Sequence, residues 1–292
     1  METVGISTIS KGEEKRRYLP LEIRSQMYDD VIKLRKQGLN YIQIQKEIYE
    51  KYGLRLPQPT ISTWINRKKH PLGRVNKFDD KPSPELAYVI GAIFGDGSLY
   101  FDKHYFHFLI LLAVNDKEFA NEFGKNLAKV LGKKGPYKPF WDEHRKQWVV
   151  EVTSILLYKF LNKPLRELKP YIEYSNKTAS AFLRALFDGE GCMFTKRYPK
   201  KYIRTLRLYS TDKELLNYAK FLLEKYFNIN TTGPHLERKS GEVKHFPNGR
   251  ITKTTKDFYY LYIRTNSLLN FYKFINFSIK RKQQRLIEAI KQ

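Results

Sequence analysis

Two carboxylates occupy matching settings in this chain. Asp96 lies between glycines as Gly95-Asp96-Gly97 and Glu190 as Gly189-Glu190-Gly191, an offset of 190 − 96 = 94 residues. Each ends an apolar stretch, YVIGAIFGDGSLY over Tyr88–Tyr100 and AFLRALFDGEGCMF over Ala181–Phe194. Adjacent carboxylates repel unless a proton or a cation stands between them. Such oxygen ligands favour Mg2+ or a comparable hard cation, Mn2+ included. A metal ion there can activate water and stabilise the leaving oxygen in phosphodiester hydrolysis. An acid pair, a metal and a basic protein together argue for a nuclease.

The elements that would bring the acids together can be read from the same stretches. Pro84-Glu85 suits a helix N-terminus, and Leu86 to Phe94 is almost wholly apolar, so this short helix must be buried on every side. Gly91 and Gly95 stand four apart on one face, and Ala185 and Gly189 hold the matching places in the second stretch. Small residues at this spacing let two helix backbones approach closely. Packed so, the helices place Asp96 beside Glu190. One copy alone would read as an ordinary buried helix with a glycine C-cap; two copies with the acid in register favour a built site.

The segments downstream of the two motifs repeat as well. Strands are predicted at Ser98–Phe101 and Tyr105–Val114, then at Met193–Lys196 and Tyr202–Tyr209. Asp116 and Asp212 each cap an amphipathic helix. Further strand pairs lie at Tyr137–Trp141 with Trp148–Val152 and at Thr231–Glu237 with Asp257–Ile263, the second pair separated by a basic loop from Arg238 to Lys256. Helices at Ile155–Leu161, Leu268–Phe274 and Lys280–Ile290 close the pattern. The fold class is therefore α+β: a pseudo-two-fold pair of αββαββα units, residues 84–176 and 177–292, whose antiparallel sheets form a basic DNA-binding saddle. The chain would act as a monomeric pseudo-dimer.

Ahead of these halves lie a flexible polar arm (1–20), a helical module (21–70) and a Pro-containing linker (71–83). Three helices fit the module: one with Met27, Val31, Ile32 and Leu34, one capped by Asn40, and one over Thr60–Lys69. This order looks like a helix-turn-helix, with Ser62, Thr63, Asn66, Arg67 and Lys68 towards a groove and Ile61, Trp64 and Ile65 inward. The alternative is a small bundle without groove contact.

Global composition points to the same partner. Lys+Arg 54 minus Asp+Glu 30 gives +24 over 292 residues, with pI near 9.8, which implies a polyanion such as nucleic acid. The bland reading is a solvated basic surface or adaptation to heat, to which the Lys, Glu, Tyr and Ile content also points. No apolar run reaches membrane-spanning length, and no secretory h-region is expected at the N-terminus. A single cysteine, Cys192, excludes a disulfide framework and a cysteine zinc site. An intracellular, reducing setting fits: a bacterial or archaeal cytoplasm or nucleoid, or an organelle.

From Pro84 onward the residues resemble the LAGLIDADG homing endonuclease family. VIGAIFGDG (Val89–Gly97) and LRALFDGEG (Leu183–Gly191) stand where the two family motifs would. Phe94 replaces an acid usual in the first motif, Asp188 retains it in the second, and Arg184 takes a usually small position, pointing away from the partner helix. The resemblance implies a site-specific enzyme cutting both strands of a long double-stranded DNA site across the minor groove. Asp96 and Glu190 would bind divalent metal with help from the Gly95 and Gly189 carbonyls, and the sheets, with Arg204 and Arg207, would contact DNA. Lys280 takes the place of a lysine that polarises water and phosphate, and Lys177 is a weaker counterpart; both also read as ordinary helix-start lysines. Start and end residues disfavour an intein and fit a free-standing or intron-encoded enzyme. Two other readings are an intron RNA maturase, which charge alone does not separate from a DNA enzyme, and a non-cleaving DNA-binding regulator, disfavoured by retention of both acids.

Overall fold

The computed structural model describes residues 19, 21–67, 70–71, 78–102, 107–199, 201–245 and 251–291. The chain divides into two compact units between Val75 and Asn76.

The first unit holds three helices, α1 (Leu21–Lys36), α2 (Tyr41–Tyr52) and α3 (Gln58–Asn66). Gly38 adopts a positive φ of 93° after α1. Asn40 caps α2 in a capping box with Gln43, and Gly53 closes that helix in the left-handed region. Met27, Val31, Ile44, Ile48, Leu56, Ile61 and Trp64 form a core of the unit's own, with Ile65 packed at its edge.

The second unit repeats one topology. Helix α4 (Pro84–Phe94) is followed by strands β1 (Gly97–Asp102) and β2 (His107–Val114), α5 (Lys117–Val130), β3 (Phe140–Asp142), β4 (Gln147–Thr153), and helices α6 (Ile155–Leu161) and α7 (Leu165–Ile172). The second copy runs α8 (Asn176–Glu190), β5 (Gly191–Tyr198), β6 (Lys201–Ser210), α9 (Lys213–Phe227), β7 (Thr231–Arg238), β8 (Val243–His245), β9 (Ile251–Lys253), β10 (Phe258–Ile263), α10 (Leu268–Phe274) and α11 (Lys280–Lys291). Sheet orders are β1-β2-β4-β3 and β5-β6-β10-β7, antiparallel throughout and equivalent once the β8–β9 ribbon is removed. The α+β class and the two repeated units are thus as expected. The ribbon stands where the sequence predicts a loop, and α7 is a helix the sequence pattern does not single out. Of the strand expected from Tyr105, Tyr105 and Phe106 lie outside the described residues.

The two sheets pack their inner faces on α4, α8 and neighbouring helices in one apolar core. Ser83 caps α4 through the Leu86 N–H, Pro84 occupies its first turn, and Leu86 to Ala92 are all buried. That burial explains a helix without a polar face; Leu86, Val89 and Ile90 each contribute about 1.5–3 kcal/mol. Among the described residues no helix is long and apolar enough to cross a membrane.

Candidate active site at the ends of the paired helices

Helices α4 and α8 pack against each other through small residues. A methyl group on Gly91 would overlap the Phe182 carbonyl oxygen and stand 3.0 Å from the Ala185 Cβ. One on Gly189 would stand 2.7 Å from Asp96 Oδ2. Gly95 differs from expectation: a methyl there meets nothing closer than 3.6 Å, with Glu190 Cγ at 3.9 Å, so it is no close-approach position. Gly91→Ala should destabilise the second unit by about 1–3 kcal/mol, because the obstacle is backbone rather than a movable side chain. Urea unfolding that leaves Gly91→Ala as stable as the parent would contradict this packing.

The same geometry brings the ends of α4 and α8 together, and with them Asp96 and Glu190. Crowding costs both carboxylates hydration. Glu190 is pushed up to about 7, first by burial and then by the charge of Asp96, against the opposing pull of Lys282. Asp96 is raised for the same first reason, although its residue surface is largely exposed; Lys282 again opposes. On both members the raising effect of burial outweighs the lowering effect of Lys282.

Beneath the pair lies a polar cluster that the sequence alone does not reveal. Asp188 is buried, 1% exposed. It accepts from the Tyr88 hydroxyl at 2.9 Å and from the Ser278 N–H and hydroxyl at 2.8 and 2.7 Å. Burial raises it to about 6 despite these donors. Lys282, 7% exposed, points its ammonium at the end of α8 and donates to the carbonyls of Phe187, Asp188 and Gly189 at 3.1, 2.6 and 3.3 Å. A cation at a helix C-terminus satisfies carbonyls that have no intrahelical partner. Arg281, one residue earlier, pairs with Asp116 at 2.8 Å. Residues 278–282 therefore tie the C-terminal segment to both halves directly under the two acids.

Several expected placements change. Lys177 is the second residue of α8 and Glu190 the last, which separates them by about 20 Å of helix; Lys177 is not beside the acids. Lys280 opens α11 and is exposed, whereas Lys282 carries the buried ammonium. A lysine in phase with the apolar stripe was the available signal, since Lys282, Leu286 and Ala289 are the buried residues of α11. Arg204 lies on the helix side of its sheet and donates to the Ala289 carbonyl at 2.6 Å, so it caps α11 and does not face outward. Arg207 is on the outer face, over the Tyr260 ring at 4.3 Å and 3.7 Å from Glu237. Asp212 caps α9, but Asp116 makes no such cap because Arg281 holds its carboxylate. Arg184 turns away from α4, as expected, and donates to the Ile275 carbonyl.

In the N-terminal unit, Ser62 and Thr63 are half-buried and Asn66 and Arg67 are exposed along α3. Asn66 donates to the Tyr41 hydroxyl and to Ser62 Oγ at 3.0 and 3.1 Å. Lys68 lies outside the described residues.

The acid site offers hard oxygen donors in a setting short of positive charge, which fits a divalent cation. Among the described residues no group of three or more His, Cys, Asp or Glu could hold a metal. A hard cation needs no such group: Mg2+ characteristically takes one or two carboxylates and completes its shell with water and substrate phosphate. Asp96, Glu190 and the Gly95 carbonyl would supply ligands, while the Gly189 carbonyl already accepts from Lys282.

A family model described as LAGLIDADG-like domain matches residues 177–276. The uncharacterized protein MJ0398 of Methanocaldococcus jannaschii is 34% identical over 256 residues, spanning 87% of this chain and 89% of that protein. The crystal structure of I-DmoI in complex with DNA and Ca aligns with a TM-score of 0.49 at 18% identity, over 72% of this chain and 100% of that one. Full-length DUF199/WhiA from Thermatoga maritima aligns with a TM-score of 0.45 at 18% identity, over 74% and 62%. This chain belongs to the LAGLIDADG family and carries both motifs in one polypeptide.

Proposed function

We propose that this protein is a site-specific, divalent-metal-dependent endonuclease acting on double-stranded DNA. The observation that carries the reading is the pair Asp96 and Glu190, held together at the ends of packed helices and both short of compensating positive charge. Asp96, Glu190 and the Gly95 carbonyl would hold Mg2+ or Mn2+. When bound, the cation supplies a more acidic water and neutralises charge on the scissile phosphate. Glu190 must release its proton first, and Lys282 favours that by lowering the pKa of both acids. Arg207 and the outer sheet residues would hold the duplex. In the N-terminal unit, Ser62, Thr63 and Asn66 of α3, with Arg67 at its C-cap, would add a tethered contact in the manner of a helix-turn-helix.

The direct test is cleavage of plasmid carrying the host locus, with and without Mg2+. Double-strand cuts at one position only when metal is present support the reading; duplex binding without cutting under any divalent ion overturns it in favour of a binding protein.

Metal linkage gives a second measurement. Glu190 has a folded pKa near 7 against 4.5 as the ordinary value, a raised case. Its stabilising contribution is full below about pH 4.5 and is lost as pH rises through about 7. Metal-free protein should therefore lose thermal stability over that window, and Mg2+ should restore it most at the alkaline end. Glu190→Gln should flatten both trends in differential scanning fluorimetry; an unchanged Mg2+ effect in that variant would remove Glu190 from the metal site.

A further inference from the structure

The outer faces of the two sheets differ in charge. In the first sheet, alternation with the buried Ile110, Leu112, Val150 and Val152 sets Leu109, Leu111 and Glu151 on the outer face. Its described residues include the acids Asp102, Asp142 and Glu151 and no lysine or arginine. The second sheet presents Lys196, Arg207 and Arg238 on its outer face, among rings that include Tyr209 stacked on Phe258 at 5.5 Å. In a chain of net charge +24, a sheet whose described strand residues carry no lysine or arginine is a poor surface for phosphates.

The second half also carries an insertion that breaks the repeat. The first half joins β3 to β4 through residues 143–146; the second sends the chain out into the β8–β9 ribbon between β7 and β10. At its base is a pocket of about 390 Å³ whose lining includes Arg238, Lys253 and Lys256 with Thr252, Thr254 and Thr255. No acid lines it. Three acids close in sequence are engaged elsewhere: Asp257 accepts from the Ser240 N–H at 2.8 Å and the Tyr259 hydroxyl at 3.2 Å, Glu242 accepts from the Lys239 N–H at 3.2 Å, and Glu237 stands 3.7 Å from Arg207. Backbone bonds from Gly241 to Thr254 and from Thr254 to Glu242 fix the base further. Among the described residues no ion pair reaches the three pocket cations.

Basic residues and threonines around a hollow, with acids of the ribbon occupied elsewhere, offer the chemistry of a phosphate contact. We propose that the ribbon-base pocket seats a backbone phosphate of the bound duplex, so that the second half grips DNA beyond its sheet while the first sheet adds no phosphate contact. This rests on the reading of the protein as a duplex-DNA binder.

The test needs no target sequence, because phosphate contacts govern non-specific binding. The full chain is titrated with a random-sequence duplex of about 30 base pairs over a series of KCl concentrations. Each phosphate contact contributes about 0.9 to the slope of log K against log salt. The triple variant Arg238→Ala/Lys253→Ala/Lys256→Ala should lower that slope by about 1 and should retain the parent's thermal stability. A charge-matched triple on the helix side, Lys169→Ala/Lys225→Ala/Lys273→Ala, should lower it less. Equal slopes in parent and pocket variant, or equal losses in both triples, overturn the pocket. A parent that binds no duplex overturns the DNA reading itself. Thermal stabilisation of the parent by millimolar inorganic phosphate, lost in the pocket variant whose DNA slope is unchanged, would mark a small-anion site and overturn the duplex assignment.

Discussion

Asp96→Asn or Glu190→Gln should reduce DNA cutting by roughly a thousandfold or more while leaving duplex affinity within a fewfold of the parent. A metal ion contributes several kcal/mol of transition-state charge stabilisation, and each 1.4 kcal/mol is a factor of ten. Both substitutions keep shape and remove the anionic ligand. Neither should unfold the protein, since both acids are destabilised by crowding in the metal-free state and their neutral replacements relieve it. Binding depends on cations spread over the protein and should persist, with a steep salt dependence. Plasmid cleavage under single-turnover conditions, beside gel-shift affinity in Ca2+, separates the two effects. Cutting at parental rate by either variant would show that the acid pair is structural.

These two acids were legible because the chain states them twice. One Gly-acid-Gly end would have been a helix stop; a second, 94 residues on, made both part of a two-fold device. The strand pairs were legible for the same reason, since Ile110, Leu112, Leu206 and Leu208 alternate with less buried neighbours in each copy. What breaks the repeat was not legible. The β8–β9 ribbon lies in a stretch too polar for a strand pattern, and its form depends on Asp257 and Glu242 meeting backbone N–H groups that only the fold brings near. Arg204 and Arg207 show a different limit. Both are basic, three apart on one strand, so alternation sets them on opposite faces, and composition favoured a DNA role for each. The register with β5 and β10 decides which faces outward.

Lys282→Met should cost both stability and activity, by a route distinct from loss of the acids. The ammonium is the donor for three consecutive carbonyls at the end of α8, at a buried position. Burial depresses its pKa, against the raising effect of Asp188, Asp116 and Asp96, so the site carries a cation at some cost in hydration. Methionine fills the volume and removes that donor from the Asp188 and Gly189 carbonyls, while Phe187 keeps the Gly191 N–H, which should lower stability by about 2–4 kcal/mol in urea unfolding. It also removes the one buried cation that lowers Asp96, Glu190 and Asp188 together. All three acids should then hold protons to higher pH. Metal binding requires release of the protons on Asp96 and Glu190, so the Mg2+ concentration for half-maximal stabilisation should rise in the variant most at low pH, and the pH dependence of cutting should move to more alkaline values. A merely structural lysine predicts the stability loss without the pH shift. Lys280→Met, at the exposed start of the same helix, separates the two: it should leave both the urea midpoint and the pH dependence of Mg2+ stabilisation near parental values. If Lys280→Met moves that pH dependence and Lys282→Met does not, the lysine that tunes the acids is the exposed one, and the buried ammonium acts only as a helix cap.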